Sequence, residues 1–271
     1  MLSPKPWRLE AVVLLLAGIC AGLILCTLLS GLLQHAGVAG FRSEDSLGVI
    51  MLGTLGMHGA ALVLGAFFLW YHRVTWRELL GVMRPNFGRL VVPIVVTAGL
   101  ILPTAFALQW ISFELLMKVG YVPKDQEAVD LLMNAHSRWI LAYLIFFATI
   151  LAPVAEEFIF RGVLYPFVKQ LKLPDVLPAE NPGFIATVFC WINKVGFPRI
   201  ALIGVSLLFA LIHVDAAIIL PLFVFALAQT WLYERTDSLI APMITHSTFN
   251  LANLLLMFFT SGPAMQPGGH T

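Results

Sequence analysis

The sequence predicts an all-α, polytopic bundle of transmembrane helices, and three observations support this prediction. Of the 271 residues, 59% are hydrophobic and only 11% are charged, and the mean hydropathy is +0.89. A water-soluble domain carries about 25% charged residues, so this chain has too little charge to cover a soluble surface. Apolar runs recur along the chain, and its basic residues fall mainly between alternate runs. Lipid is therefore expected to be the solvent for most of the chain.

Seven apolar runs are predicted to span the membrane. Most of them reach the roughly 20 residues that a helix needs to cross about 30 Å of hydrocarbon. The run 200–213 is shorter and requires protein packing at its ends. An eighth helix stays open, because the apolar stretch 184–192 is too short to span but suits a re-entrant element. The seven runs are approximately 11–33, 46–71, 90–117, 139–165, 200–213, 216–233 and 239–259.

The distribution of lysine and arginine predicts the orientation. If the N-terminus is cytoplasmic, most basic residues lie in cytoplasmic segments, as the positive-inside rule expects. We therefore expect an integral membrane protein with its N-terminus in the cytoplasm and its C-terminus outside. The compact chain, without an evident organelle signal, favours a bacterial cell membrane. The opposite side then holds only Arg42, Lys118, Lys124 and Arg138.

Three regions follow from composition. Residues 1–138 are N-terminal transmembrane helices without a recognised motif, residues 139–259 carry the polar groups, and the Gly- and Pro-rich stretch 260–271 is expected to be a disordered tail. A net charge of +1 argues against nucleic acid as a partner. The three cysteines lack metal-ligand spacing and are interpreted as small hydrophobic residues.

The fourth run contains three charged residues, Glu156, Glu157 and Arg161. Each charge at the centre of a spanning helix costs about 2.5–3.5 kcal/mol, so these groups require partners or water. Glu157 and Arg161 are four residues apart and share a helix face. Glu156 is rotated by about 100° from Glu157, which leaves it without that local partner. We therefore expect Glu156 to be the carboxylate available for chemistry.

Two further runs supply polar groups that can complete a site. His246 and Asn250 are four residues apart in the seventh run, and His213 ends the fifth. If these helices pack against the fourth, the three side chains converge with Glu156. A glutamate and a histidine can take and hold a proton from water, and a histidine with an amide can donate to an oxyanion. Alternatively, Glu156, His213 and His246 could hold zinc, although no HExxH motif is present.

These residues form an ordered set of three motifs that resembles the CPBP (CAAX protease and bacteriocin-processing, or Abi) family of intramembrane endopeptidases. The resemblance covers about residues 139–259, and every motif position is filled. The motifs are Glu156-Glu157-x-x-x-Arg161, Phe209-x-x-x-His213 and His246-x-x-x-Asn250.

The resemblance implies hydrolysis of peptide or protein substrates at the membrane. In this interpretation Glu156 and His213 activate water, His246 and Asn250 stabilise the oxyanion, and Glu157, Arg161 and Phe209 support them. Whether zinc takes part is left open, because the family is described both as metal-dependent and as metal-free. A proton-coupled transporter and a non-catalytic immunity or scaffold protein on the same fold remain alternatives. The sequence does not assign the substrate or the oligomeric state.

Two ionisable residues lie in predicted spans outside these motifs. His58, in the second run, is predicted to be a packed polar residue without a catalytic role. Glu114 lies toward the end of the third run and is predicted to reach water at the interface.

Overall fold

The computed structural model describes residues 2–43, 46–82, 88–121, 137–171 and 195–260, with single positions 131, 132, 135 and 187. Within these ranges the chain is helical and contains no strand, so the predicted all-α fold is confirmed. The helices of the described chain are α1 Leu9–His35, α2 Leu47–Tyr71, α3 Trp76–Leu80, α4 Gly88–Lys118, α5 Arg138–Lys169, α6 Phe197–Leu211, α7 Ala216–Thr236 and α8 Ile240–Thr260.

Five of these helices, α1, α2, α4, α5 and α7, are long and apolar enough to cross a membrane. Helix α6, where the short fifth run was predicted, is a 15-residue apolar helix, and α8 has 21 residues, several of them polar. The prediction of a polytopic helical membrane protein is confirmed. Apart from Thr187, the stretch 184–192 lies outside the described residues, and so does the predicted tail from residue 261.

The lipid-facing surface and the core differ in side-chain type. Large apolar side chains such as Leu14 and Leu100 are exposed, as expected where hydrocarbon replaces water. Inside the bundle, three aromatic side chains from different helices are completely buried: Phe158 of α5, Phe209 of α6 and Phe225 of α7. The rings of Phe209 and Phe225 lie 6.2 Å apart. Helix α5 contacts α2, α6 and α8, so groups on these helices can meet around it.

The N-terminal segment before α1 binds three separate parts of the bundle. The backbone N–H and hydroxyl of Ser3 donate to the carboxylate of Asp237, between α7 and α8. The ring of Trp7 packs 4.9 Å from Phe68 of α2, and its Nε1 donates to the carbonyl of Gly162 in α5 at 2.9 Å. These contacts bring the ends of α2, α5 and α7 to the same side of the bundle as the N-terminus.

A proline removes the regular helical donor to the Gly162 carbonyl. In a regular α-helix this carbonyl would accept from the N–H of residue 166, but Pro166 has none. The N–H of Tyr165 donates five residues back, to Phe160, within the π-helical stretch Phe158–Leu164. Trp7, from outside the helix, supplies a donor to this carbonyl in place of the one that Pro166 lacks.

Candidate active site

Helix α5 places two adjacent glutamates between two wide helical turns. It contains π-helical stretches at Phe147–Leu151 and Phe158–Leu164, and the short α-helical segment Ala152–Glu157 joins them. Such wide turns change the direction in which neighbouring side chains point and are frequent at functional sites. Glu156 and Glu157, at the end of the joining α-helical segment, point about 100° apart and face different surroundings.

Pro153 of this segment determines how α5 connects to α8. The N–H of Ala152 donates to Phe147, five residues back, and Pro153 has no N–H to donate. Neither residue therefore satisfies the carbonyl of Ala148. The side-chain amide of Asn250 donates to that carbonyl through Nδ2 at 2.8 Å. The contact fixes the amide of Asn250 beside α5 and leaves its second N–H without a bond to the Ala148 carbonyl.

Glu157 is the centre of a buried ion-pair cluster. Its Oε1 lies 3.0 Å from Nη1 of Arg161 and 2.8 Å from Nδ1 of His246, and all three side chains are buried. A second guanidinium nitrogen of Arg161 donates to the carbonyl of Ala226 in α7 at 3.1 Å. Because a carboxylate only accepts, Nδ1 of His246 carries the proton in this contact. The other ring nitrogen of His246, Nε2, lies on the side of Glu156.

Glu156 lies between two imidazole rings. Its Oε2 is 3.8 Å from Nε2 of His246, and its Oε1 is 3.5 Å from Nε2 of His58. The side chain of Glu156 keeps 12% of its surface exposed, whereas that of Glu157 keeps none. The two neighbouring carboxylates thus differ in their access: one is enclosed by its partners, and the other retains an open edge.

His213 is held by its own helix end. Its Nδ1 lies 2.8 Å from the carbonyl oxygen of Phe209, so Nδ1 donates and Nε2 of the neutral ring carries no proton. The ring centroids of His213 and Phe209 are 5.0 Å apart. Val214 follows with a φ of +58°, a strained value for a β-branched residue. Asp215 then caps α7 by accepting from the backbone N–H of Ala217.

Phe209 packs between the cluster and His213. Its ring lies 4.7 Å from the Arg161 guanidinium, a cation–π distance, and 5.9 Å from the ring of His246. His213 is close enough to interact electrostatically with Glu156. The buried ring of Phe209 therefore lies at the centre of the site, next to Arg161, His213 and His246. Glu156 and Glu157 join the group through their contacts with His246. Asn250, one turn beyond His246 on α8, is held at the Ala148 carbonyl.

One residue that the sequence interpretation set aside also belongs to this cluster. His58 was predicted to be a packed polar side chain without a catalytic role, but its Nε2 faces the open carboxylate of Glu156. The prediction considered α2 alone, and this contact depends on how α2 packs against α5. The available signal was an ionisable residue in an otherwise apolar span, which is a functional-site hypothesis by default.

Zinc binding by Glu156, His213 and His246 stays an alternative. Among the described residues no group of three or more His, Cys, Asp or Glu side chains is arranged to hold a metal ion. In the set Glu156, His213 and His246, each histidine uses Nδ1 in a hydrogen bond within the protein, which leaves Nε2 as the nitrogen available to a proton or a metal.

A comparison with known families covers the same part of the chain. Residues 138–252 match the family described as type II CAAX prenyl endopeptidase Rce1-like. The match begins at the first residue of α5 and ends inside α8, so it contains all seven motif positions, whereas His58 lies outside it. It confirms the family resemblance that the three motifs carry. No curated protein and no solved structure matches the chain significantly.

Proposed function

We propose that the chain hydrolyses peptide bonds of membrane-associated substrates, because residues 138–252 match the type II CAAX prenyl endopeptidase Rce1-like family. The observation that carries the proposal is the unequal state of the two glutamates. Glu157 is enclosed by Arg161 and His246, while Glu156 keeps an open edge beside two imidazoles. A buried carboxylate with access to one water molecule is suited to act as a general base.

Glu156 takes a proton from the attacking water. The water oxygen forms a bond to the carbonyl carbon of the substrate, and the carbonyl electron pair moves onto its oxygen. His213 can accept a proton at Nε2, because its Nδ1–H is already bound to the Phe209 carbonyl. When the C–N bond breaks, the proton passes to the leaving amine from Glu156 or His213. Water thus supplies both the hydroxyl and the proton of the two products.

His246 and Asn250 stabilise the oxyanion. His246 can donate through Nε2 when its ring is protonated, while its Nδ1–H is bound to the Glu157 carboxylate. The two carboxylates of Glu156 and Glu157 exceed the single charge of Arg161, so one further proton makes the cluster neutral. Asn250 offers the amide hydrogen that is not bound to Ala148. Removal of one such donor typically lowers kcat by about 100- to 1000-fold.

The experiment that tests this function is peptide hydrolysis by the purified protein in lipid vesicles. The probe is a quenched fluorescent peptide with a prenylated C-terminal cysteine motif, with the unprenylated peptide beside it. Glu156→Gln should lower kcat by at least about 100-fold, whereas Glu114→Gln, at an exposed glutamate of α4, should not. Unchanged turnover by Glu156→Gln would exclude this residue as the base. Full activity after treatment with a strong chelator is expected, and its loss with recovery on added zinc would contradict the metal-free mechanism.

We also propose the orientation of the chain, with its N-terminus in the cytoplasm of a bacterial cell. The support is the basic character of the segments that lie on the N-terminal side. Lys5 and Arg8 precede α1 there, and Arg73 follows α2. Labelling single cysteines placed at the partly exposed Lys5 and the exposed Val119 in intact cells tests it, because only Val119→Cys should react with an impermeant reagent.

A further inference from the structure

His58 is the one site component that α2 contributes. It lies on the π-helical stretch Leu55–Gly59, where the wide turn brings it against α5. Its ring meets Phe147 of α5 edge-on, with centroids 4.9 Å apart and planes at 89°. Its side chain keeps 12% of its surface exposed, the same fraction as that of Glu156. The ring is therefore oriented by packing and, like the neighbouring glutamate, stays partly exposed.

The two ring nitrogens of His58 have unequal surroundings. Nε2 lies 3.5 Å from Oε1 of Glu156, whereas Nδ1 is buried and has no hydrogen-bond partner among the described residues. A carboxylate only accepts hydrogen bonds, so the ring nitrogen that faces it carries the proton. The proton of the neutral ring is therefore assigned to Nε2, where it points at the Glu156 carboxylate.

We propose that His58 is a positioning residue for Glu156, contributed from outside the segment that defines the family. This inference rests on the proposed role of Glu156 as the base. The Nε2–H of His58 holds Oε1, so the carboxylate presents Oε2 toward His246 and the water. Without this donor the carboxylate can rotate about its last side-chain bond, and the attacking oxygen loses its fixed direction.

A purely structural role for His58 makes a different prediction. If the ring only fills space against Phe147, an apolar side chain of similar size should serve equally well. If Nε2–H positions Glu156, a replacement side chain must carry an N–H donor at about the same distance from the backbone as Nε2. Glutamine carries its amide nitrogen at about the distance of imidazole Nε2, whereas asparagine places it about one bond short.

The test compares four variants of the full chain in lipid vesicles with the peptide assay above. His58→Gln should retain most of kcat. His58→Asn, His58→Leu and His58→Phe should each lower kcat by about 10- to 100-fold with KM unchanged, the rate equivalent of one charge-assisted hydrogen bond. The matched control is His35→Leu, at the exposed end of α1, which should behave as the parent protein. Both apolar variants are used because His58→Leu reduces the volume of the side chain and His58→Phe preserves it. A folding failure caused by lost volume would therefore affect only His58→Leu.

Three results would overturn the inference. Wild-type kcat in His58→Leu and His58→Phe would assign His58 to packing, and equal loss by the glutamine and leucine variants would show that an N–H donor at this distance does not position Glu156. A rise in KM at constant kcat would assign it to substrate binding. Activity of Glu156→Gln distinguishes the two proposals: if that variant is active, the proposed function itself fails. If it is inactive while His58→Leu is fully active, only the role of His58 is wrong.

Discussion

Nδ1 of His246 on α8 lies 2.8 Å from Oε1 of Glu157 on α5, the same oxygen that accepts from Arg161. Glu157, the second residue of the first motif, thus orients His246, the first residue of the third motif. A carboxylate that holds one imidazole nitrogen fixes the tautomer of the ring and directs its other nitrogen. Glu157 therefore affects chemistry through His246 as well as stability through Arg161.

Glu157→Gln should weaken both the fold and the reaction. It leaves the buried guanidinium of Arg161 without its counter-charge, and breaking a buried pair costs about 3–5 kcal/mol. Thermal unfolding in detergent and kcat should both fall. Glu156→Gln serves as the comparison, because it should remove activity while its thermal unfolding stays close to that of the parent. Equal stability of the two variants would contradict the separate roles of these neighbours.

Asn250→Ala should lower kcat by about 100- to 1000-fold, because it removes a donor to the oxyanion. Asn253→Ala is a matched control on the same helix, since Asn253 donates only to the carbonyl of Phe249 in its own helix in the structure. Peptide hydrolysis at saturating substrate measures both. If the Asn250 variant loses stability but retains kcat, this residue only joins α8 to α5.

Pro153→Ala should reduce activity although its side chain performs no chemistry. The new N–H can donate to a carbonyl of the preceding turn and compete with Asn250 for Ala148. We expect a fall in kcat with little loss of thermal stability. Pro103→Ala, at a proline inside α4, provides the comparison and should leave kcat unchanged. The same kcat in both variants would show that Asn250 does not depend on the carbonyl left free in α5.

Trp7→Phe should destabilise the protein without changing its chemistry. The Gly162 carbonyl then loses the donor that replaces the missing N–H of Pro166, at a cost of about 1–3 kcal/mol. Thermal unfolding should shift down, and kcat below the transition should not change. Trp70→Phe is the control, because Trp70 is largely exposed on α2. A drop in kcat at low temperature would instead mean that the N-terminal segment acts on the site.

Much of the fold is predictable because lipid imposes a simple rule on sequence. Five long apolar runs form helices that can span a membrane, because backbone groups in hydrocarbon must be satisfied within the helix. The neighbours Glu157 and Arg161 could also be predicted, since a spacing of four residues fixes their relation on one helix. Both predictions use only distances along the chain.

Contacts between helices were harder to predict. The approach of His58 to Glu156 depends on the rotation and depth of α2 against α5, which the sequence of neither helix states. The bond from His246 to Glu157 has the same origin. The wide turns of α5 add a further shift, because each moves the following residues away from the positions that regular helical spacing predicts. The prolines were visible in the sequence, but the partners of the carbonyls they free were not.

The two prolines of α5 have a consequence for how this chain can diverge. Each one creates an acceptor in the backbone that a side chain from a distant segment fills: Asn250 at Ala148 and Trp7 at Gly162. Replacing a proline alone introduces a backbone N–H that competes for the carbonyl. Replacing the side chain that donates to the carbonyl leaves this buried acceptor without that hydrogen bond. Substitutions at Pro166 and Trp7 are therefore best tolerated by the fold when both change together. At Pro153 and Asn250 a double change can restore only the backbone bond, because Asn250 is also a donor to the oxyanion.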